Sequence, residues 1–181
     1  MVTITVLVGS TRKGSVNEAL FETIKAFAPE GVTFVKPDLD SLPMYNGDME
    51  KEAFPESAKV LKDAMRKSAG VILITPEYNR STTPLLKNAI DWASRPYGDS
   101  AWEGKPVATM GATGGTIGTS AAQQHLKQIL AYLNTKIMGQ PEFYLSGVTK
   151  KIGPDGLISD EDTRNYITTF IEAFLVHSKT S

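Results

Sequence analysis

The sequence predicts one α/β domain spanning residues 1–181, built on a parallel sheet with helices on both faces. Two features predict it. Short β-branched runs alternate with segments of helical apolar spacing from end to end, the pattern of repeated strand–helix–strand units. At 181 residues the chain is also long enough to bury roughly 70% of its unfolded surface in one core, without disulfide or metal support.

Each element follows in order. Val2–Val8 (VTITVLV) is β-branched and stops at Gly9, a strand. Val16, Ala19, Leu20, Ile24 and Phe27 then recur at helical spacing, and Val32–Val35 is a short second strand. Lys59–Ala69 is helical, with Leu61, Ala64 and Met65 on one stripe. Val71–Ile74 (VILI) is a continuous apolar run between Gly70 and Pro76, as expected for a strand buried on both faces. Leu85, Leu86, Ala89, Ile90 and Ala93 mark a helix face, and a further strand starts over Pro106–Met110. Ala122, Leu126, Ile129, Leu130 and Leu133 form a long amphipathic helix. Ile137 and Phe143–Leu145 suggest a last, interrupted strand, and Ile167, Phe170, Ile171 and Phe174 a closing helix. Five strands and five helices in a chain of this size favour the flavodoxin-like strand order 2-1-3-4-5, with right-handed crossovers. Ligands of such sheets bind beyond the carboxyl ends of the strands, near the switch point in strand order. The loops after the first, third and fourth strands are therefore the places to search.

Composition removes several kinds of chemistry. The chain has no Cys, which excludes thiolate catalysis, Cys-ligated zinc, iron–sulfur clusters and disulfides. Its two His are too few for most His-based metal sites. A formal net charge of −1 gives no broad attraction to nucleic acid or to an anionic membrane. The apolar runs are far shorter than a spanning helix. Met1-Val2-Thr3-Ile4 opens the sequence without a basic, apolar and cleavage pattern, so a cytoplasmic protein is expected.

The first loop, Gly9-Ser10-Thr11-Arg12-Lys13-Gly14-Ser15-Val16-Asn17, leaves a strand and opens a helix. Hydroxyls, a forked cation and the free N–H groups of a helix N-terminus suit a dianionic phosphate. The bland alternative is a plain turn with Ser15 as helix cap. Neither the P-loop pattern GxxxxGK[ST] nor GxGxxG is present. The second loop, Thr75-Pro76-Glu77-Tyr78-Asn79-Arg80-Ser81-Thr82-Thr83-Pro84, is stiffened by two Pro. Thr83 or Ser81 can cap the helix that Pro84 begins. Tyr78 beside Asn79 offers a flat surface with polar neighbours, suited to an aromatic ring system, or is an incidental part of a rigid connector. The third loop carries four Gly in the eight positions from Gly111 to Gly118. That is more than a turn requires and implies close backbone approach to something, unless the loop is simply flexible.

GSTRKGSVN, TPEYNRSTTPLLKNAIDW and the Gly-rich loop before Gln123-Gln124-His125-Leu126 together resemble the NADPH-dependent FMN reductase family. Its members include bacterial quinone, chromate and azo-dye reductases. The resemblance runs from the first strand to about Phe143. It implies FMN as cofactor, NADPH or NADH as electron donor and a small-molecule oxidant. Transferred by position, Ser10, Arg12, Ser15, Val16 and Asn17 would hold the phosphate and the start of the ribityl chain. Pro76, Glu77, Tyr78, Asn79 and Arg80 would line the isoalloxazine, and Thr113, Gly114 and Gly115 would meet the pyrimidine edge. Hydride would pass from nicotinamide to flavin N5, so no catalytic side chain and no metal is expected. Donor and oxidant would share one ring face and bind in turn. Backbone N–H groups of the third loop, with the next helix N-terminus, would steady negative charge at the ring edge.

The resemblance also implies a homodimer or homotetramer. Glu142 matches an acidic interface position of the family, whereas Ala121 and Gln124 stand where some tetramers use Arg and Tyr. Pro43-Met44-Tyr45-Asn46 resembles the family segment that reaches toward the partner's pocket. From the residues themselves, the apolar face Leu85–Ala93 and the aromatic loop bearing Tyr97 and Trp102 are candidate dimer surfaces. His125 reads as a packing or interface residue, and His177 as part of a solvated tail. Two alternatives stand beside the enzyme: a flavodoxin-like electron carrier, usually far more acidic than −1, and a phosphate-ligand module without flavin.

Overall fold

The structure, a computed structural model, describes residues 1–180, and of Thr180 only the backbone. The elements are β1 (Val2–Val8), α1 (Val16–Ala26), β2 (Val32–Val35), α2 (Gly47–Glu52), α3 (Glu56–Lys67), β3 (Gly70–Ile74) and α4 (Pro84–Ala93). There follow β4 (Pro106–Ala112), α5 (Ser120–Tyr132), β5 (Lys136–Ile137), β6 (Phe143–Leu145), a 3₁₀ turn at Val148–Lys150, and α6 (Glu161–Thr180). All pairings are parallel and the order is β2-β1-β3-β4-β5, with β6 also on β4. This is the expected 2-1-3-4-5 sheet.

The interrupted last strand has a clear cause. β5 pairs with the start of β4 (Val107 opposite Ile137) and β6 with its end (Met110 opposite Phe143). Between them lie Gly139 and Pro141, and a proline cannot donate to the ladder. Gln123 bridges nearby, its Nε2 donating to the Phe143 carbonyl at 2.8 Å while its Oε1 accepts from Thr109 at 3.1 Å.

The two sheet faces are covered separately. Ile4, Val6 and Val8 of β1 pack with α1 and α6, through Leu20, Ile24, Phe170 and Phe174. Leu7, Val71 and Leu73 pack with α3, α4 and α5, through Leu61, Met65, Ile90 and Leu126. β3 is fully buried along its length, as its unbroken apolar run requires. Gly70 at its start leaves room for Phe174, whose Cζ would lie 2.7 Å from a Cβ there.

Four sequence expectations are corrected. First, α2 is an additional helix that the periodicity does not mark, because it has no apolar stripe and buries no residue; its start rests on the Asn46 side chain, which accepts from Asp48 N at 2.8 Å. Second, the apolar face of α4, apart from the partly buried Leu85, is not available for association: Leu86, Ala89, Ile90 and Ala93 are buried in this chain's own core. Third, Trp102 is fully buried and donates from Nε1 to the Ile90 carbonyl, so only Tyr97 of that pair is exposed. Fourth, His177 sits in α6 rather than a tail, its Nε2 2.8 Å from the Lys136 carbonyl.

Candidate flavin site

The three loops singled out above converge at the carboxyl end of the sheet. They enclose an open cleft of about 320 Å³ lined by Ser10, Arg12, Ser15, Val16, Asn17, Pro76, Glu77, Tyr78, Ala112, Thr113, Gly114 and Thr149. Asn79, Arg80 and Gly115 are not part of that lining. Thr149, on the 3₁₀ turn, was missed, and no motif marks it; it enters because a Cβ at Gly114 would stand 3.1 Å from its hydroxyl.

The first loop leaves β1 at Gly9 and turns into α1 through Gly14, whose φ of +68° favours glycine. Ser15 caps α1, its Oγ accepting from Asn17 N at 3.3 Å. The hydroxyl proton of Ser15 stays free to donate. Arg12 lines the cleft, and its guanidinium has no ion pair or hydrogen bond among the described residues. A free forked cation in the loop that opens a helix supplies the positive charge that an anion site needs.

Asn17 has a different task from the one expected of its side chain. Its Nδ2 donates to the Ala112 carbonyl at 3.0 Å and its Oδ1 accepts from Ala112 N at 2.9 Å. Both ends of the amide are thus spent on the last residue of β4, and Asn17 is buried. It ties the first loop to the third and shapes the cleft floor.

The second loop is a tight hairpin. Tyr78 and Ser81 exchange two backbone hydrogen bonds at 3.0 Å, across a turn in which Asn79 and Arg80 have φ of +51° and +65°. Arg80 is a poor residue for that conformation, which favours Gly. The hairpin is held from outside. Glu77 receives Arg80 Nη1 on Oε1 at 3.2 Å and Ala122 N on Oε2 at 3.2 Å. Ser81 Oγ lies 2.8 Å from His125 Nδ1 on α5. Tyr78 is left half exposed over the cleft. At the loop's far end Thr83 caps α4, accepting from Leu86 N at 3.4 Å.

This bears on charge. The N-terminus of α5 was expected to face a ligand, but the Glu77 carboxylate already occupies it at Ala122. Within the third loop, Thr113 N donates to the Leu145 carbonyl at 2.9 Å and Gly115 N to Thr113 Oγ1 at 3.2 Å. Of the cleft-lining groups of this loop, the Gly114 N–H and the Thr113 hydroxyl proton remain as donors among the described residues. The glycines also divide by task. A Cβ at Gly111 would collide with the Thr75 carbonyl and Thr119 Oγ1, and one at Gly118 would meet Tyr144 at 2.8 Å. Those close approaches are internal; only Gly114 lines the cleft.

Beside this site, Glu142 accepts from Lys127 and from the Tyr144 hydroxyl, each at 2.7 Å, with Gln124 Nε2 at 3.5 Å. Hydrogen bonds from Lys127 and then Tyr144 hold its carboxyl below the ordinary range. Burial, then the bond to Glu142, pushes the Tyr144 phenol up to about 12.

Residues 2–150 match the model of the NADPH-dependent FMN reductase family. The chain is 43% identical over 171 residues to a 2-hydroxy-1,4-benzoquinone reductase of a Burkholderia species, covering 94% of this chain and 93% of that one. It is 37% identical over 171 residues to a quinone reductase of Escherichia coli K12, covering 93% and 90%. Among solved structures it is similar to FerB, a flavoenzyme NAD(P)H:(acceptor) oxidoreductase of Paracoccus denitrificans, with a TM-score of 0.93, 40% identity and coverage of 99% and 98%. The chain belongs to the NADPH-dependent FMN reductase family. It is an FMN-dependent NAD(P)H oxidoreductase rather than a bare electron carrier. No described helix is long and apolar enough to cross a membrane.

Proposed function

We propose that this enzyme passes reducing equivalents from NAD(P)H to a quinone, through FMN seated in the cleft between the first, second and third loops. The observation that carries the placement is the free Arg12 guanidinium beside the capped N-terminus of α1, in the same cleft as Tyr78 and Gly114. The donor set fits FMN: a cation with Ser10 and Ser15 hydroxyls for a phosphate, Tyr78 for a ring, and the Thr113–Gly114 edge for a polar rim. FMN, when bound, supplies hydride acceptance and delivery. The chain's residues bind and orient: Arg12, Ser10, Ser15, Val16 and the backbone of Asn17 anchor one end, while Pro76, Glu77 and Tyr78 hold a flat platform at the other. Asn79 and Arg80 shape that platform as the hairpin turn, and Gly115 supports Thr113.

Quinone as acceptor is supported by the relatives named for quinone reduction. Chromate, azo dyes and free flavin suit the same open ring face and are the competing acceptors. Donor and acceptor would occupy that face in turn. We further place the protein in the cytoplasm, where NAD(P)H is abundant, as a homodimer or homotetramer. Gln124 and Glu142 are the candidates for a second interface. The decisive experiment is to release and identify the bound flavin, then follow NADPH and NADH oxidation with a benzoquinone and no partner protein. Turnover with ping-pong kinetics is the expected result; tight flavin binding without turnover would reject this reading.

A further inference from the structure

The second loop is built against its own backbone preference. Asn79 and Arg80 sit consecutively at positive φ without glycine, a conformation that persists only where the surroundings over-determine it. Those surroundings are all on α5 or within the loop. Glu77 bonds Arg80 and the α5 backbone at Ala122, and His125, one turn further along α5, meets Ser81 at 2.8 Å. Ser81 is itself the residue that closes the hairpin onto Tyr78. His125 is exposed and makes no other hydrogen bond among the described residues.

We infer that His125 is a positioning residue of the reaction: through its Nδ1 bond to Ser81 it holds the Tyr78–Ser81 hairpin, and so the Tyr78 ring, at the flavin cleft. The bond forms in either charge state of the imidazole. Neutral Nδ1 accepts the Ser81 hydroxyl proton, and a protonated Nδ1 donates to Ser81 Oγ. This inference rests on the placement of FMN beside Tyr78 proposed above.

The test exploits ring geometry, since an Asn side chain puts its polar atom near the position of Nδ1 and a Gln near that of Nε2. His125→Ala should slow flavin reduction by NADPH roughly five- to twenty-fold at saturating FMN, and shift the visible absorption of the bound flavin. It should also weaken FMN binding to the apoprotein by a few-fold. His125→Asn should restore all three; His125→Gln should not. Ser81→Ala should reproduce His125→Ala, and the double variant should be no worse than either single. Multiplicative effects in the double variant, or equal behaviour of the Asn and Gln variants, would overturn the inference. Tyr78→Ala separates this from failure of the site itself. If Tyr78→Ala changes the flavin spectrum and His125→Ala does not, the positioning role is wrong. If neither does, the placement of FMN is wrong.

Discussion

At the scale of single residues, two side chains that look alike in the first-loop motif do opposite jobs. The Arg12 guanidinium has no protein partner among the described residues, whereas the Asn17 amide bonds the Ala112 backbone. A charge-assisted bond from Arg12 to a phosphate is worth about 1.5–3 kcal/mol. Arg12→Ala should therefore weaken FMN binding roughly ten- to a hundred-fold while leaving riboflavin, which has no phosphate, almost unaffected. Titration of the apoprotein with both flavins checks this. An unchanged FMN affinity with a raised KM for NADPH alone would move Arg12 to the 2′-phosphate of the donor. Asn17→Ala should act on stability first. It strands the buried N–H and C=O of Ala112, at about 1–3 kcal/mol, or a fall of roughly 2–12 °C in Tm for a chain of this size. Thermal unfolding of the apoprotein reads it directly.

At the scale of elements, the site is three loops braced against one another. Gly111 at the end of β4 lies against the Thr75 carbonyl of the second loop and Thr119 of the third. Gly9 at the end of β1 lies against Leu86 Cδ1 at 2.6 Å and Thr83 Oγ1 at 2.9 Å. A methyl group at either position overpacks, but a leucine side chain can turn aside and a strand-end carbonyl cannot. Gly111→Ala should therefore destabilise more than Gly9→Ala, by about 1 kcal/mol or more, and should lose FMN affinity as the second and third loops part. Denaturant unfolding and flavin titration on the two variants give the comparison. The opposite ranking would mean that the loop bases yield more readily than the helix α4 they rest on.

At the scale of the whole molecule, the exposed aromatics bear on association and two surface carboxylates on acid stability. With the apolar face of α4 buried, exposed aromatics offer one surface suited to a partner: Tyr97, 83% exposed and stacked by Arg95 at 3.9 Å, and Tyr132, 82% exposed, line one cleft of about 540 Å³. A dimer at least is expected, weakened by Tyr97→Ala with Tyr132→Ala. Sedimentation at micromolar concentration showing only a 19.6 kDa species would exclude it. Acid sensitivity follows from two carboxylates. Hydrogen bonds from Arg66, then Lys62, hold Asp99 down to about 2, and bonds from Thr163, then Lys151, do the same for Asp160. Their folded values lie below the unfolded one of about 3.9. The stability they contribute is thus present above pH 4 and lost as pH falls toward 2. Asp99→Asn with Asp160→Asn should flatten the dependence of unfolding free energy on pH across that window.

Periodicity and motif by themselves determined the sheet, its order and the three loops that meet at its carboxyl end. An unbroken VILI run between Gly70 and Pro76 suits a strand at the sheet centre, and a βα turn bearing a forked cation suits an anion at a helix N-terminus. Tertiary structure alone decided what each polar group in those loops faces. Glu77 was legible as a loop residue but not as the cap of a helix 45 positions away. Asn17 could not be seen to reach Ala112 across 95 positions, nor His125 to reach Ser81 across 44. Local pattern records the burial of apolar side chains, because burial repeats with the period of the element. A hydrogen bond depends on two atoms brought within 3 Å by the packing of everything between them, and no period in the sequence carries that distance.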